Sequence, residues 1–381
     1  MKIGINALYL IPGRVGGSEI YLRELLAALG RVDRENEYLV FSNRESRGNL
    51  ELPENFREIS LRVPASVRPL RVFWEQLVLP RLARRHRLDV LHSPGSAAPL
   101  RLPCASVVTV LDLIYLRFPE TFPRGIRGLV RWLTAASAAT ADAVITLSEY
   151  SRDEVMWELD VSWDRIHAVA LGGGTISPSG LPRGERIRLL REMGVEGPFI
   201  LCVSAAHPHK NLSRLLEGYY RWRLDGGRHQ LVITGVKHSR GYRRLEEIVS
   251  RMELGGEVVF TGWIPEECKR AIFAEASLFV FPSLLEGFGL PVLEAMRSGV
   301  PVACSAVPSL DEVAGEAAWR FNPYEPGKIA EAIRECLSNE ELRRRLREAG
   351  EAQAARFDWD ETARLTRQIY SRAKQMREEK R

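Results

Sequence analysis

The sequence predicts an α/β protein of two similar halves, each built on a parallel sheet. Three observations lead there. Short apolar, β-branched runs alternate with helical patterns from end to end, which is the signature of βαβ units. A connector rich in Gly, Pro and Ser interrupts the alternation once: Gly172-Gly173-Gly174, then Ser177-Pro178-Ser179-Gly180 and Pro182. The 381 residues are too many for one typical core, so two domains are expected.

Taken in order, Ile3–Leu8 reads as a strand, followed by a loop carrying Gly13, Gly16 and Gly17. Ser18 is placed to cap the helix that runs to about Leu29. Tyr38–Phe41, Val90–His92, Ser106–Val110 and Ala143–Thr146 read as further strands, with helical patterns at Val72–Arg85 and Gly125–Ala139. After the connector come strand candidates Phe199–Val203, Leu231–Thr234, Val258–Phe260, Leu278–Phe281 and Pro301–Cys304. Helices Leu212–Trp222, Gly241–Met252, Glu266–Glu275 and Pro291–Arg297 lie between them. The tail after Phe357 reads as a long polar helix, with Asp358 of Asp358-Trp359-Asp360 as its cap and not as a metal ligand. Expected boundaries are 1–172 plus the tail 358–381 packing back on it, and 173–357. Two such halves joined by a hinge at 172–182 place a ligand in the cleft between them.

Composition excludes several classes. Hydrophobic content of 45% and charged content of 27% are ordinary for a globular protein. No apolar run is long enough to span a membrane. The five cysteines are scattered without a Cys-x-x-Cys pair, which argues against zinc or a disulfide framework and for a reducing, cytoplasmic setting. The net charge of +5 gathers partly in Arg62, Arg68, Arg71, Arg81, Arg84, Arg85 and Arg87. A second basic stretch, Arg117, Arg124, Arg127 and Arg131, lies beside Leu129, Val130, Trp132 and Leu133. Such a mixture suits either peripheral contact with an anionic membrane face or a plain solvated surface. No nucleic-acid motif accompanies the charge.

The chemistry concentrates in Glu286-Gly287-Phe288-Gly289-Leu290-Pro291-Val292-Leu293-Glu294. A Gly-rich turn admits close approach of backbone amides to a ligand. Pro291 suits the start of a helix, whose N-terminus is a site for phosphate. Two carboxylates flanking it can grip sugar hydroxyls. Together these features suggest a nucleotide-sugar site.

The stretch from Pro282 to Met296 resembles the signature of retaining glycosyltransferases of the GT-B family 4. Gly299-Val300-Pro301-Val302 and the segment Ser309–Gly315 follow in the family's order. Resemblance extends to Gly16-Gly17-Ser18-Glu19, Val107–Phe122, Asp142–Ser148, Val203–Leu212 and Val259–Pro265. It implies two facing Rossmann-like domains, the first binding an acceptor and the second a nucleoside diphosphate sugar. Glu286 would contact the donor sugar and Glu294 the ribose, while amides at Gly287, Phe288, Gly289 and Leu290 hold the diphosphate. Lys210 would stabilise charge on the leaving phosphate. Ser204 stands where the family often carries an arginine, and either His207 or His209 could supply a donor in its stead. Gly16 and Gly17 would approach the donor, and Gly262, Trp263 and Ile264 would bound the base. Leu111 stands where the family often has a histidine before Asp112. Asp112 is a candidate catalytic residue, binding a sugar or acceptor hydroxyl, with a simple strand end as its alternative. His92 and Tyr115 are candidates for the acceptor side, His92 being open equally to a packed role.

The resemblance is closest to bacterial mannosyl- and rhamnosyltransferases of surface-polysaccharide assembly. It implies a saccharide or lipid-linked acceptor and neither metal nor cofactor, since Lys210 and the helix dipole can carry the electrostatic work. A nucleotide-sugar epimerase, a transferase with a soluble acceptor, and a non-catalytic nucleotide-sugar binder are the alternatives.

Overall fold

The computed structural model describes residues 1–173, 180–237 and 241–380. Gly174 and Ser177-Pro178-Ser179, within the expected hinge, lie outside the described residues. The chain divides into two compact units, Met1–Gly172 with Phe357–Arg381, and Gly173–Arg356.

The first unit holds seven parallel strands: β1 (Lys2–Asn6), β2 (Glu37–Ser42), β3 (Phe56–Ser60), β4 (Val90–Ser93), β5 (Ala105–Thr109), β6 (Ala143–Thr146) and β7 (Ile166–Ala168). Their order in the sheet is β3-β2-β1-β4-β5-β6-β7. The second unit holds β8 (Phe199–Val203), β9 (Gln230–Thr234), β10 (Val258–Gly262), β11 (Leu278–Phe281), β12 (Val302–Ser305) and β13 (Trp319–Phe321). They lie in the order β10-β9-β8-β11-β12-β13. Both are doubly wound Rossmann-like sheets. Central strands such as β5 and β6 are buried along their whole length, which is why they read as unbroken apolar runs.

Three strands escape the sequence pattern: β3, β7 and β13. All three are sheet edges. An edge strand pairs on one side only and is short or half-exposed, so it needs no apolar run. The first helix also differs from expectation. It spans Gly17–Val32 with Gly16 as its cap, and the Ser18 hydroxyl donates to the Val15 carbonyl at 2.9 Å instead of capping. The helix expected over 72–85 begins at Arg68 and contains a π-turn, Trp74–Val78. There the Leu79 amide bonds back to the Trp74 carbonyl. Pro80 has no N–H to continue the normal ladder, and the wider turn sits just ahead of it.

The C-terminal helix Trp359–Glu379 packs on the first unit. Asp358 caps it by accepting from the Asp360 amide at 3.0 Å. Arg31 pairs with Asp360 at 2.7 Å, Lys374 with Asp89 at 2.8 Å, and Thr362 donates to the Ala170 carbonyl at 2.8 Å.

This helix also bears on the two readings of His92. That side chain is fully buried, with Nδ1 2.8 Å from the Tyr370 hydroxyl and Nε2 2.8 Å from the Thr109 hydroxyl. It is a packed histidine joining the helix to the sheet, with no face left for an acceptor. Burial pushes its pKa down to about 3. Between about pH 6.5 and 3 the unfolded chain therefore binds a proton that the folded chain refuses, so stability falls as pH falls. From pH 7 to pH 5 this group is expected to remove about 2 kcal/mol from the first unit. Urea midpoints at both pH values test this. His92→Gln should show a shallower pH dependence than wild type.

Candidate active site

In the second unit the chain runs outward from β8 to β9 and β10, then returns to β11 on the other side of β8. Such a switch point opens a crevice at the carboxyl ends of the strands, where ligands of these sheets bind. The segment 204–211 follows β8 and the segment 282–289 follows β11. The Leu284 amide donates to the His209 carbonyl at 2.7 Å, which ties the two loops together. Asn211, at φ 58°, donates its side-chain amide to the carbonyls of Pro282 (3.1 Å) and Pro323 (2.7 Å).

This framework brings Lys210 and Glu286 into contact, Nζ to Oε1 at 2.6 Å. The two side chains retain 18% and 10% exposure, so the pair is reachable from solvent while largely desolvated. Lys210 also lies 5.6 Å from the Phe281 ring centroid. The His207 and His209 rings stack with centroids 5.7 Å apart. Burial, then the Lys210 charge, push the His209 pKa down to about 3. His209 is thus neutral at pH 7, and in this arrangement Lys210 supplies the positive charge.

The Gly-rich turn is shaped by one residue. Gly289 has φ 118°, and a Cβ placed on it would lie 2.5 Å from Leu310 Cδ2. A side chain at that φ would strain the backbone and push Leu310 aside. Gly289 caps the helix Leu290–Arg297, with Pro291 in its first turn. The first turn of a helix presents amide N–H groups that no carbonyl of the helix can reach. Phe288 and Leu290 are themselves buried, at 5% and 7% exposure, and anchor the turn.

Glu294 lies on the same helix and is 2% exposed. Its Oε1 accepts from Lys269 Nζ at 2.7 Å. Burial raises the Glu294 pKa, and Lys269 opposes that rise. Lys269 was missed by sequence reasoning: it sits in Glu266-Glu267-Cys268-Lys269-Arg270, which reads as a solvated helix face.

The loops after β8, β9 and β10 lie side by side. The Ser204 amide donates to the Thr234 carbonyl at 3.0 Å, and the Gly235 amide to the Gly262 carbonyl at 2.8 Å. Gly262 has φ +74°, next to the Lys237 side chain. Trp263 is 74% exposed and Ile264 half-buried.

The remaining expected residues lie in the first unit. Gly16 and Gly17 begin its first helix, and nothing lies within 4 Å of where a Cβ would project from either. Asp112, in the loop after β5, accepts from the Ile114 amide at 3.1 Å. Tyr115 is 9% exposed and packs in an apolar cluster with Leu113, Ala138 and Val155. Burial pushes the Tyr115 pKa up to about 12.

Comparison with known proteins adds the following. Residues 191–353 match the family model described as glycosyl transferases group 1, and residues 15–172 match that of glycosyltransferase family 4. The chain is 31% identical over 294 residues to O-antigen chain mannosyltransferase B of Escherichia coli, covering 75% of each. It is 31% identical over 244 residues to the serotype-specific mannosyltransferase WbdA of Escherichia coli, covering 63% of this chain and 30% of that protein. Among solved structures, Anabaena HepE in complex with UDP-glucose superposes with a TM-score of 0.76 at 18% identity, over 97% of this chain and 99% of the other.

Proposed function

The chain belongs to the family 4 glycosyltransferases of group 1, which have the GT-B fold, and we propose that it transfers mannose with retention of configuration. The donor is a nucleoside diphosphate sugar, and the acceptor a saccharide or lipid-linked saccharide of a cell-surface polysaccharide. One observation carries this reading: the Lys210–Glu286 pair at 2.6 Å, beside the Gly289 turn and the helix start at a switch point.

The roles follow from chemistry. The donor diphosphate draws Lys210 toward it and accepts from amides of the Gly287–Leu290 turn. Glu286, relieved of part of its contact with Lys210, accepts from hydroxyls of the sugar. Glu294, held by Lys269, accepts from the ribose. The bond from the anomeric carbon to the phosphate oxygen breaks, and its electron pair stays on the diphosphate. The acceptor oxygen bonds to that carbon from the same face and passes its proton to the departing phosphate oxygen. Charge grows on the diphosphate as this happens, where Lys210 and the helix dipole stabilise it without a metal.

In the first unit Val67, Leu70, Phe73 and Leu77 are 40–53% exposed beside Arg68 and Arg81, and Leu129 and Trp132 are exposed beside Arg131. No helix of the described residues is long and apolar enough to cross a membrane. These exposed residues support peripheral contact with an anionic membrane on the cytoplasmic side.

The test is transfer from GDP-mannose, and from UDP, ADP and dTDP hexoses in parallel, to a simple alkyl mannoside in the presence of EDTA. The product's anomeric configuration is read by NMR. Retention with full activity in EDTA is expected. An inverted product, or activity restored only by added metal, would sink the corresponding part of the proposal.

A further inference from the structure

The first unit has a switch point of its own, between β1 and β4. Asn6 ends β1 and Ser93 ends β4, and the Asn6 side-chain amide donates to the Ser93 hydroxyl at 3.4 Å. The loops leaving these strands meet there. A Cβ on Gly95 would lie 2.8 Å from the Tyr9 ring, so the backbone after β4 runs against that aromatic face. Tyr9 donates its hydroxyl to the Ser18 carbonyl at 3.0 Å.

The π-turn Trp74–Val78 delivers two polar side chains to this region. Gln76 clasps the loop after β4, donating to the Ala98 carbonyl (2.9 Å) and accepting from the Leu100 amide (3.0 Å). Glu75 is 3% exposed. Its Oε1 lies 3.5 Å from Arg71 Nε, longer than a hydrogen bond, and its Oε2 has no hydrogen-bond partner among the described residues. Burial raises its pKa to about 7, with Arg71 and then the Asn6 amide opposing the rise. A buried carboxyl that is neither fully paired nor fully bonded is costly to keep. Glu75 lies within the π-turn, and π-turns of this kind recur at functional sites.

We propose that Glu75 is an acceptor-binding residue, which hydrogen-bonds hydroxyls of the acceptor saccharide at the β1/β4 switch point, with Asn6 and Arg71 beside it. Carboxylate, amide and guanidinium together suit adjacent hydroxyls. The assignment rests on the transferase reading above, because it takes the saccharide to be the acceptor.

The test uses the full chain and the octyl glycosides of mannose, glucose and galactose, with binding read by saturation-transfer NMR. At least one glycoside should bind wild type. Glu75→Gln should weaken that binding by about tenfold to a hundredfold, the loss expected for one hydrogen bond to a charged group. GDP and UDP binding should be unchanged, and the thermal midpoint at pH 8 no lower than wild type, because the variant buries no charge. Glu75→Asp, which withdraws the carboxylate by one methylene, should weaken glycoside binding too and carries the comparison if Glu75→Gln does not fold. Equal glycoside binding by wild type and the folded variants overturns the assignment, as does the absence of any glycoside binding to wild type. Nucleotide-sugar turnover is measured on the same samples. Its absence throughout, with glycoside binding lost only in the variants, would count against the transferase reading and leave this site standing.

Discussion

Replacing Lys269 with methionine is expected to cost the second unit about 3–5 kcal/mol, the penalty for stranding one partner of a buried ion pair. Glu294 is 2% exposed, and Lys269 at 2.7 Å is the cation engaging it. Methionine keeps most of the side-chain volume, so packing changes little and the charge effect dominates. The sign of the pH dependence follows. Burial already raises the Glu294 pKa, and Lys269 opposes that rise. Without Lys269 the folded-state pKa climbs further above its unfolded value. The variant is then least compromised where Glu294 is protonated, and loses stability as pH rises. Urea denaturation should show a larger deficit at pH 8 than at pH 5. Adding Glu294→Gln should recover much of the loss, because it removes the stranded charge. A deficit that ignores both pH and the second substitution would mean that the pair is not what holds this region.

Lys210→Ala is expected to lower turnover by about a hundredfold to a thousandfold, the usual loss when one group stabilising transition-state charge is removed. Its Nζ is the positive group in contact with Glu286, at 2.6 Å. The neighbouring His209, with a pKa of about 3, supplies no charge at neutral pH that could replace it. Single-turnover rates with saturating donor isolate this effect from nucleotide affinity, which should also weaken. A Lys210→Ala enzyme within a few fold of wild type in single turnover would remove the lysine from the chemistry.

What the sequence made legible follows burial. Strands β5, β6, β8 and β11 lie inside their sheets and appear as apolar runs. Three of the four edges, β3, β7 and β13, leave no such trace, while the fourth, β10, still carries an apolar run. Glu286 and Gly289 stood out because they belong to a Gly-rich turn before a Pro-started helix, whereas Lys210 entered through the resemblance to the family and the fold sets it 2.6 Å from Glu286. Lys269 was not, because one lysine on a charged helix looks solvated until the fold sets it against Glu294. Glu75 was hidden for a similar reason. It lies in the Val72–Arg85 helical pattern, and only the fold shows that its side chain is buried. For His92 the sequence left a packed role and an acceptor role equally open. A polar residue ending a strand resembles a site, yet here two hydroxyls from within the unit satisfy it.

In the proposed reaction Glu286 acts on the donor sugar while the nucleotide is held by the residues around it. The most direct measurement compares Glu286→Ala with wild type in nucleoside diphosphate binding and in hexose transfer, on the same preparations. The account predicts nucleotide affinity close to wild type and transfer abolished. Transfer by Glu286→Ala at the wild-type rate would contradict it.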